Sequence, residues 1–248
     1  MGKIMSRAGA TRALAKTTWR LMPVPVFDPE IVHQCSMECL GLPRPEMFDV
    51  FARSLAKHYP RILDFSQPWI YSIAGGAMIQ MKLYYASMTE YIMIWGTPIG
   101  SEGHSGRHCT GFWDTVIDGE MWYYGEGEFE KKVYTPGDRV YVGPGQARAM
   151  NFTNGVWAVE YARGFVPLSM PFGIAEEILV CQDFLTATQT VSLYTDLVAQ
   201  AYGHKYARLQ PLTVPISRLA YRVTRMLMPS PEVSEIPRKN IHWFQRKT

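Results

Sequence analysis

Between Trp69 and Phe165 the chain is cut into short apolar runs by turn signals, and this punctuation limits the fold more than any other feature. The runs are "MIQMKLYYASM", "EYIMIWG", "WDTVIDGEMWYYG", "KKVYTPGDRVYVGPG", "ARAMNF" and "GVWAVEYARG". Gly-Glu-Gly, Pro-Gly-Asp and Gly-Pro-Gly separate them, at intervals that fit an all-β sandwich or barrel. Residues 28–64 read as helical, because "EMFDVFARSLAKHY" spaces Phe48, Phe51, Leu55 and Tyr59 on one helix face. After the β region, two amphipathic helices are expected near 171–187 and 189–203, presenting Ile174, Ile178, Leu185, Leu193 and Leu197. The expected class is therefore mainly β with flanking helices, an α+β chain.

A length of 248 residues allows one large domain with appendages. With 47% hydrophobic and 19% charged residues, the chain is not disordered by composition. A net charge of +3 is too mild to imply nucleic acid. No stretch approaches the roughly 18 apolar residues of a membrane span. Cys35, Cys39, Cys109 and Cys181 lack a second Cys/His pair for zinc and are expected to be plain buried thiols.

The two ends differ from the middle. Residues 1–27 contain no acid, while Lys3, Arg7, Arg12, Lys16 and Arg20 recur, and Ala10, Leu14 and Leu21 lie near a separate helical face. Such a segment has the composition of a mitochondrial presequence, or of a helix resting on anionic lipid. From about 204 to 248, Pro211, Pro215, Pro229, Pro231 and Pro237 are expected to break a basic tail into pieces. One piece sets Ile216, Leu219, Val223 and Leu227 among Arg218, Arg222 and Arg225, a pattern suited to a membrane surface or an acidic partner.

The residues with chemical potential lie in the β region. His104 and His108 in "GHSGRHCTGFWD" have helical metal-ligand spacing, but the glycines around them argue against a helix and no further ligands are evident. No metal is expected, and His104 is read as a loop anchor. Strand periodicity puts Phe112, Asp114 and Val116 on one face of "FWDTVI", and Ala158, Glu160 and Ala162 on one face of "VWAVEYARG". If both faces point into one interior, two carboxyl groups share a dry cavity. They cannot both ionise cheaply, so they would share a proton and be able to donate and accept near neutral pH. The plainer alternative is a structural ion pair with Arg107 or Arg163.

The segments "EYIMIWGTPIGSEGHSGRHCTGFWDTVIDG", "YTPGDRVYVGPGQARAMNF", "VWAVEYARGFVP" and "CQDFLT" resemble, in order and spacing, the C-8 sterol isomerase and sigma-type receptor family over about 65–202. The resemblance implies a metal-free, cupin-like β-barrel (65–167) closed over an apolar ligand. It also implies two helices (168–203) lying against the barrel and a membrane. Its functional carboxylates fall on Asp114 and Glu160, and by position Met81, Tyr91, Met93, Trp95, Phe112, Phe152, Met170 and Tyr194 would line the ligand, with His104 and Arg107 as structural neighbours. It implies no cofactor, a sterol or a cationic apolar ligand, a homotrimer, and the endoplasmic reticulum membrane. Three functions follow: an isomerase moving a sterol double bond from Δ8 to Δ7, a sigma-type receptor, or an unused relative serving as accessory subunit of a mitochondrial membrane complex. In the last, 1–27 and 204–248 would do the docking.

Overall fold

A computed structural model describes residues 24–202 and 210–228. Helix α1 (Pro29–Met37) starts where the Asp28 side chain accepts the Glu30 N–H at 2.8 Å, with proline in its first turn. Helix α2 (Glu46–His58) buries Phe48, Phe51 and Leu55, while Tyr59 falls just past its end and accepts the Asp28 N–H at 2.9 Å. The lead-in over 28–64 is thus two helices, separated by a turn in which Gly41 takes a φ of 73°.

Ten strands follow: β1 (Ile70–Ala74), β2 (Ala77–Ala86), β3 (Glu90–Thr97), β4 (Ser101–His104), β5 (Gly111–Gly119), β6 (Met121–Tyr124), β7 (Lys132–Tyr134), β8 (Arg139–Val142), β9 (Ala149–Phe152) and β10 (Val156–Arg163). They form two antiparallel sheets, ordered β1-β2-β3-β10-β5-β8 and β4-β9-β6-β7, and no closed ring is formed among the described residues. The class is mainly β with flanking helices, as expected.

Both faces of the larger sheet are dry. Along β3, Met93 and Trp95 join the interior cluster, while Ile92 and Ile94 pack outward with Phe48 and Phe51 of α2. On β10 the division is Ala158 inward and Trp157, Val159 and Tyr161 outward. A sheet covered on both sides needs apolar residues at successive positions, which is why these strands lack a polar alternate. The strands also approach closely at Gly96, where a Cβ would stand 2.3 Å from the Val156 carbonyl oxygen.

Phe27 belongs to this core and the Val26 backbone is tied to it, although the sequence groups both with the basic N-terminal segment; 1–23 lie outside the described residues. Buried Glu90 accepts the Val26 N–H at 2.6 Å, the Phe27 N–H at 3.3 Å and the Tyr161 hydroxyl at 2.9 Å, and Phe27 is itself buried. Arg163 donates to the Phe27 carbonyl at 2.6 Å and to the Tyr161 hydroxyl at 2.8 Å. A buried carboxyl is tolerated there because its oxygens are met by donors.

The C-terminal helices run Met170–Leu179 (α3) and Phe184–Tyr202 (α4), so the break falls at 180–183 and not at 188. Gln182 adopts a φ of 55°, and Asp183 accepts the Thr186 N–H at 2.9 Å and its hydroxyl at 2.7 Å. That is an N-cap, and it fixes the start of α4. Leu185 and Leu197 are buried, contrary to the reading of an exposed stripe. Helix α5 (Gln210–Leu227) passes through both Pro211 and Pro215, which therefore do not fragment it. Pro211 sits in the first turn, where no intrahelical N–H bond is lost. The tail beyond 228 lies outside the described residues. No described helix is long and apolar enough to cross a membrane. Cys35 and Cys39 are buried, but Cys109 and Cys181 are exposed because they lie in connections, so only half of the expected buried thiols are buried.

Candidate functional site

In the register of the larger sheet Glu160 stands directly opposite Asp114 on one side and Met93 on the other. The two carboxyls are thus cross-strand neighbours on one wall and do not meet across the interior. Both point to the cavity side, as the period-2 reading requires. Two donors meet them. The Tyr91 hydroxyl donates to Glu160 Oε1, and the Trp95 indole N–H donates to Asp114 Oδ1 at 3.0 Å. As directly opposed cross-strand residues the two carboxyls are close enough to act on each other's acidity.

Burial sets their acidity. Asp114 is 3% exposed, and desolvation raises its pKa above the ordinary carboxylate range. Glu160 is raised further, first by desolvation and then by the Asp114 charge. The Tyr91 and Trp95 bonds pull the other way without cancelling burial. Burial raises both groups and each disfavours the other's charge, so the pair retains a proton more strongly than a lone exposed carboxyl would. Glu160 keeps some accessible surface, and that surface lies on the cavity, so its proton is within reach of a bound molecule.

Met81, Tyr91, Met93, Trp95, Phe112, Phe152, Met170 and Tyr194 all line this same cavity. Strands β2, β3, β5 and β9 supply the walls, and α3 and α4 cover one end. Trp95 packs against Phe152 with ring centroids 5.1 Å apart. His104 does not line the cavity. Its Nδ1 accepts the Gly106 N–H at 2.9 Å, which anchors the 105–110 loop as expected. Arg107 donates to the Gly145 carbonyl at 2.7 Å and pairs with exposed Glu126, and Arg163 is engaged with Phe27 and Tyr161. Neither arginine forms an ion pair with Asp114 or Glu160, so the ion-pair alternative is corrected. Among the described residues no group of three or more His, Cys, Asp and Glu could hold a metal.

Seven further polar side chains line the cavity without a sequence signal for it: Ser72, Ser105, His108, Tyr123, Ser169, Glu177 and Thr190. Tyr123 is buried near both carboxyls, whose charges join desolvation in raising its pKa, so it stays a neutral hydroxyl. Desolvation lowers His108, whose ring stands edge-on to Phe112 and Phe172, so it too is uncharged near neutral pH. Their strand and loop contexts carry no local signal of a shared cavity. Only the sheet order reveals it.

A family model described as "ERG2 and Sigma1 receptor like protein" matches residues 9–204. The chain belongs to this family. Sigma non-opioid intracellular receptor 1 of Xenopus tropicalis is 37% identical over 171 residues, covering 68% of this chain and 77% of that relative. The "Protein erg2 homolog" of Dictyostelium discoideum is 33% identical over 166 residues, covering 67% of this chain and 71% of the relative. Solved structures similar to this one include an RmlC-like cupin from Shewanella frigidimarina (TM-score 0.34, 19% identity, 40% of this chain and 84% of that one). Another is a cupin superfamily protein from Desulfitobacterium hafniense (TM-score 0.31, 12% identity, 34% and 76%).

Proposed function

We propose that this family member is a sterol isomerase that moves a ring double bond from Δ8 to Δ7, with Asp114 and Glu160 as its proton-transfer pair. The observation that carries the reading is the pair of adjacent cross-strand carboxyls, raised in pKa by burial and facing an apolar cavity. Glu160 gives its proton to one alkene carbon, and the electron pair of the π bond forms the new C–H bond. The adjacent ring carbon becomes cationic while both carboxyls are anionic. In a water-poor cavity those charges stabilise the cation strongly. A carboxylate then removes a proton from the next ring carbon, the C–H pair becomes the new double bond, and the shared proton is restored. Met81, Met93, Phe112, Phe152, Met170 and Tyr194 would hold the apolar rings, and no redox step or cofactor is needed.

Purified protein incubated with a Δ8 sterol in D2O tests the reading. Turnover with one solvent deuterium incorporated per product, lost in Glu160→Gln, supports it. The similarity to sigma receptors favours one second reading, a receptor in which an ammonium takes the place of the ring cation. Tight amine binding that needs Glu160, without any turnover, would favour the receptor.

We further place the protein on a membrane surface. Helix α5 packs through Ser217, Tyr221 and Thr224, leaving Ile216, Leu219, Val223, Met226 and Leu227 exposed. Ser217 bonds Thr195 of α4 at 2.7 Å, and Arg218 pairs with Asp196 at 2.9 Å. An apolar stripe turned outward, flanked by Arg222 and Arg225, suits an anionic lipid interface. The acid-free segment 1–27 supports a mitochondrial membrane as that surface. The same two regions would be the docking elements if the protein sits in a larger assembly.

A further inference from the structure

The helical end of the cavity holds a second polar group that the proton-transfer scheme does not use. Glu177 of α3 is 2% exposed and lines the cavity, and its Oε2 has no hydrogen-bond partner. Thr190 of α4 lines the same cavity, and its Oγ1 is likewise buried and unpartnered. Ser72 of β1 lines the cavity too and lies close enough to Glu177 to favour its anion. Unsatisfied buried polar atoms cost about 1–3 kcal/mol each, and two of them on residues that line one cavity suit a ligand group that satisfies both.

The sheet order puts them away from the carboxyl pair. Helix α3 packs on β1, and β1 lies three strands from β10, about 14 Å around the curved sheet at ~4.8 Å per strand. We propose that Glu177 and Thr190 form a second subsite that takes a ligand hydroxyl, at the end of the molecule remote from the reacting carbons. The inference rests on the isomerase reading for the ligand class, an elongated apolar alcohol.

A hydroxyl fits because it donates and accepts at one oxygen. It donates to Glu177 Oε2 and accepts from the Thr190 hydroxyl. The charge state of Glu177 agrees with a neutral partner. Burial first, then the Asp183 charge, pushes its pKa up to about 7, and no basic side chain forms an ion pair with it among the described residues. An alcohol is served whether that carboxyl is protonated or not. The sterol would then be held at both ends, its hydroxyl under the helices and its ring alkene against Glu160.

The test is equilibrium binding of two probes, a Δ8 sterol with a free 3-hydroxyl and its 3-O-methyl ether, to wild type, Glu177→Leu, Glu177→Gln and Thr190→Val. Wild type is expected to prefer the alcohol by about tenfold or more, the loss of one to two hydrogen bonds. Glu177→Leu and Thr190→Val should abolish that preference and leave ether affinity within about twofold, while Glu177→Gln keeps part of it. Thr190→Val changes little volume and carries the test if Glu177→Leu fails to fold. A preference unchanged in Thr190→Val, equal weakening of both probes, or no binding of either probe to wild type overturns the proposal. Binding in a Glu160→Gln background separates the two readings. An alcohol preference that persists there without any wild-type turnover sinks the isomerase and spares the subsite.

Discussion

Replacing Glu160 with Gln should make the protein more stable at alkaline pH. The variant keeps an oxygen for the Tyr91 hydroxyl and gains an N–H for Asp114, while removing a titratable group from a crowded site. Cross-strand partners hold their Cβ atoms about 5 Å apart. Two anionic carboxyls at that spacing repel by roughly 3 kcal/mol at an effective dielectric of about 20, or about two pKa units. Because the folded-state pKa of Glu160 is raised, its contribution is fully present below the ordinary glutamate range and is lost as pH rises through the folded value. Wild type therefore loses stability with rising pH relative to the variant. For a chain of this size, about 3 kcal/mol corresponds to a Tm difference on the order of 9 °C. Thermal unfolding followed by circular dichroism at pH 4.5, 6 and 8 reads it. The Tm values should be nearly equal at the lowest pH, with the variant increasingly ahead above it. A gap that does not change with pH, or a variant that falls behind as pH rises, refutes the shared proton.

The remaining expectations concern other parts of the molecule. Tyr91→Phe removes the donor that favours the Glu160 anion, so the Glu160 pKa rises and turnover should fall about tenfold, with the alkaline limb of the kcat profile moving to higher pH. Glu90→Ala strands the Val26 and Phe27 amides and leaves the Tyr161 hydroxyl only the Phe27 carbonyl at 3.1 Å, and should cost on the order of 3 kcal/mol by chemical denaturation, with faster amide exchange over residues 24–32. Gly96→Ala drives a Cβ into the Val156 carbonyl and the Trp157 ring and should abolish soluble folded protein, whereas Gly127→Ala, with open space at the Cβ, should stay soluble. Leu219→Ser with Val223→Ser should weaken sedimentation with anionic vesicles at least tenfold and leave turnover of detergent-solubilised sterol unchanged.

The site was legible where strand periodicity alone decides the outcome. Alternation along "FWDTVI" and "VWAVEYARG" is enough to put Asp114 and Glu160 on inward faces. That they are adjacent is a different matter, because β10 inserts between β3 and β5, a pairing across more than forty residues that no local pattern encodes. Glu177 was illegible for a related reason. A glutamate beside another glutamate on an amphipathic helix reads as solvated, and only the seating of α3 on β1 buries it. Helix α5 inverts the usual rule, packing through its polar stripe and exposing its leucines, so a periodicity argument finds the helix but not the direction it faces. The break before α4 was misplaced although its signal was present, since Asp183 followed by Thr186 is a capping pattern.

Infrared difference spectroscopy of wild type against Glu160→Gln at pH 7 bears most directly on the paired carboxyls. The carbonyl stretch of one un-ionised carboxylic acid should be present in wild type and missing from the variant. If the substitution removes only carboxylate stretches, both groups are ionised in the resting protein, and proton donation from this pair is ruled out.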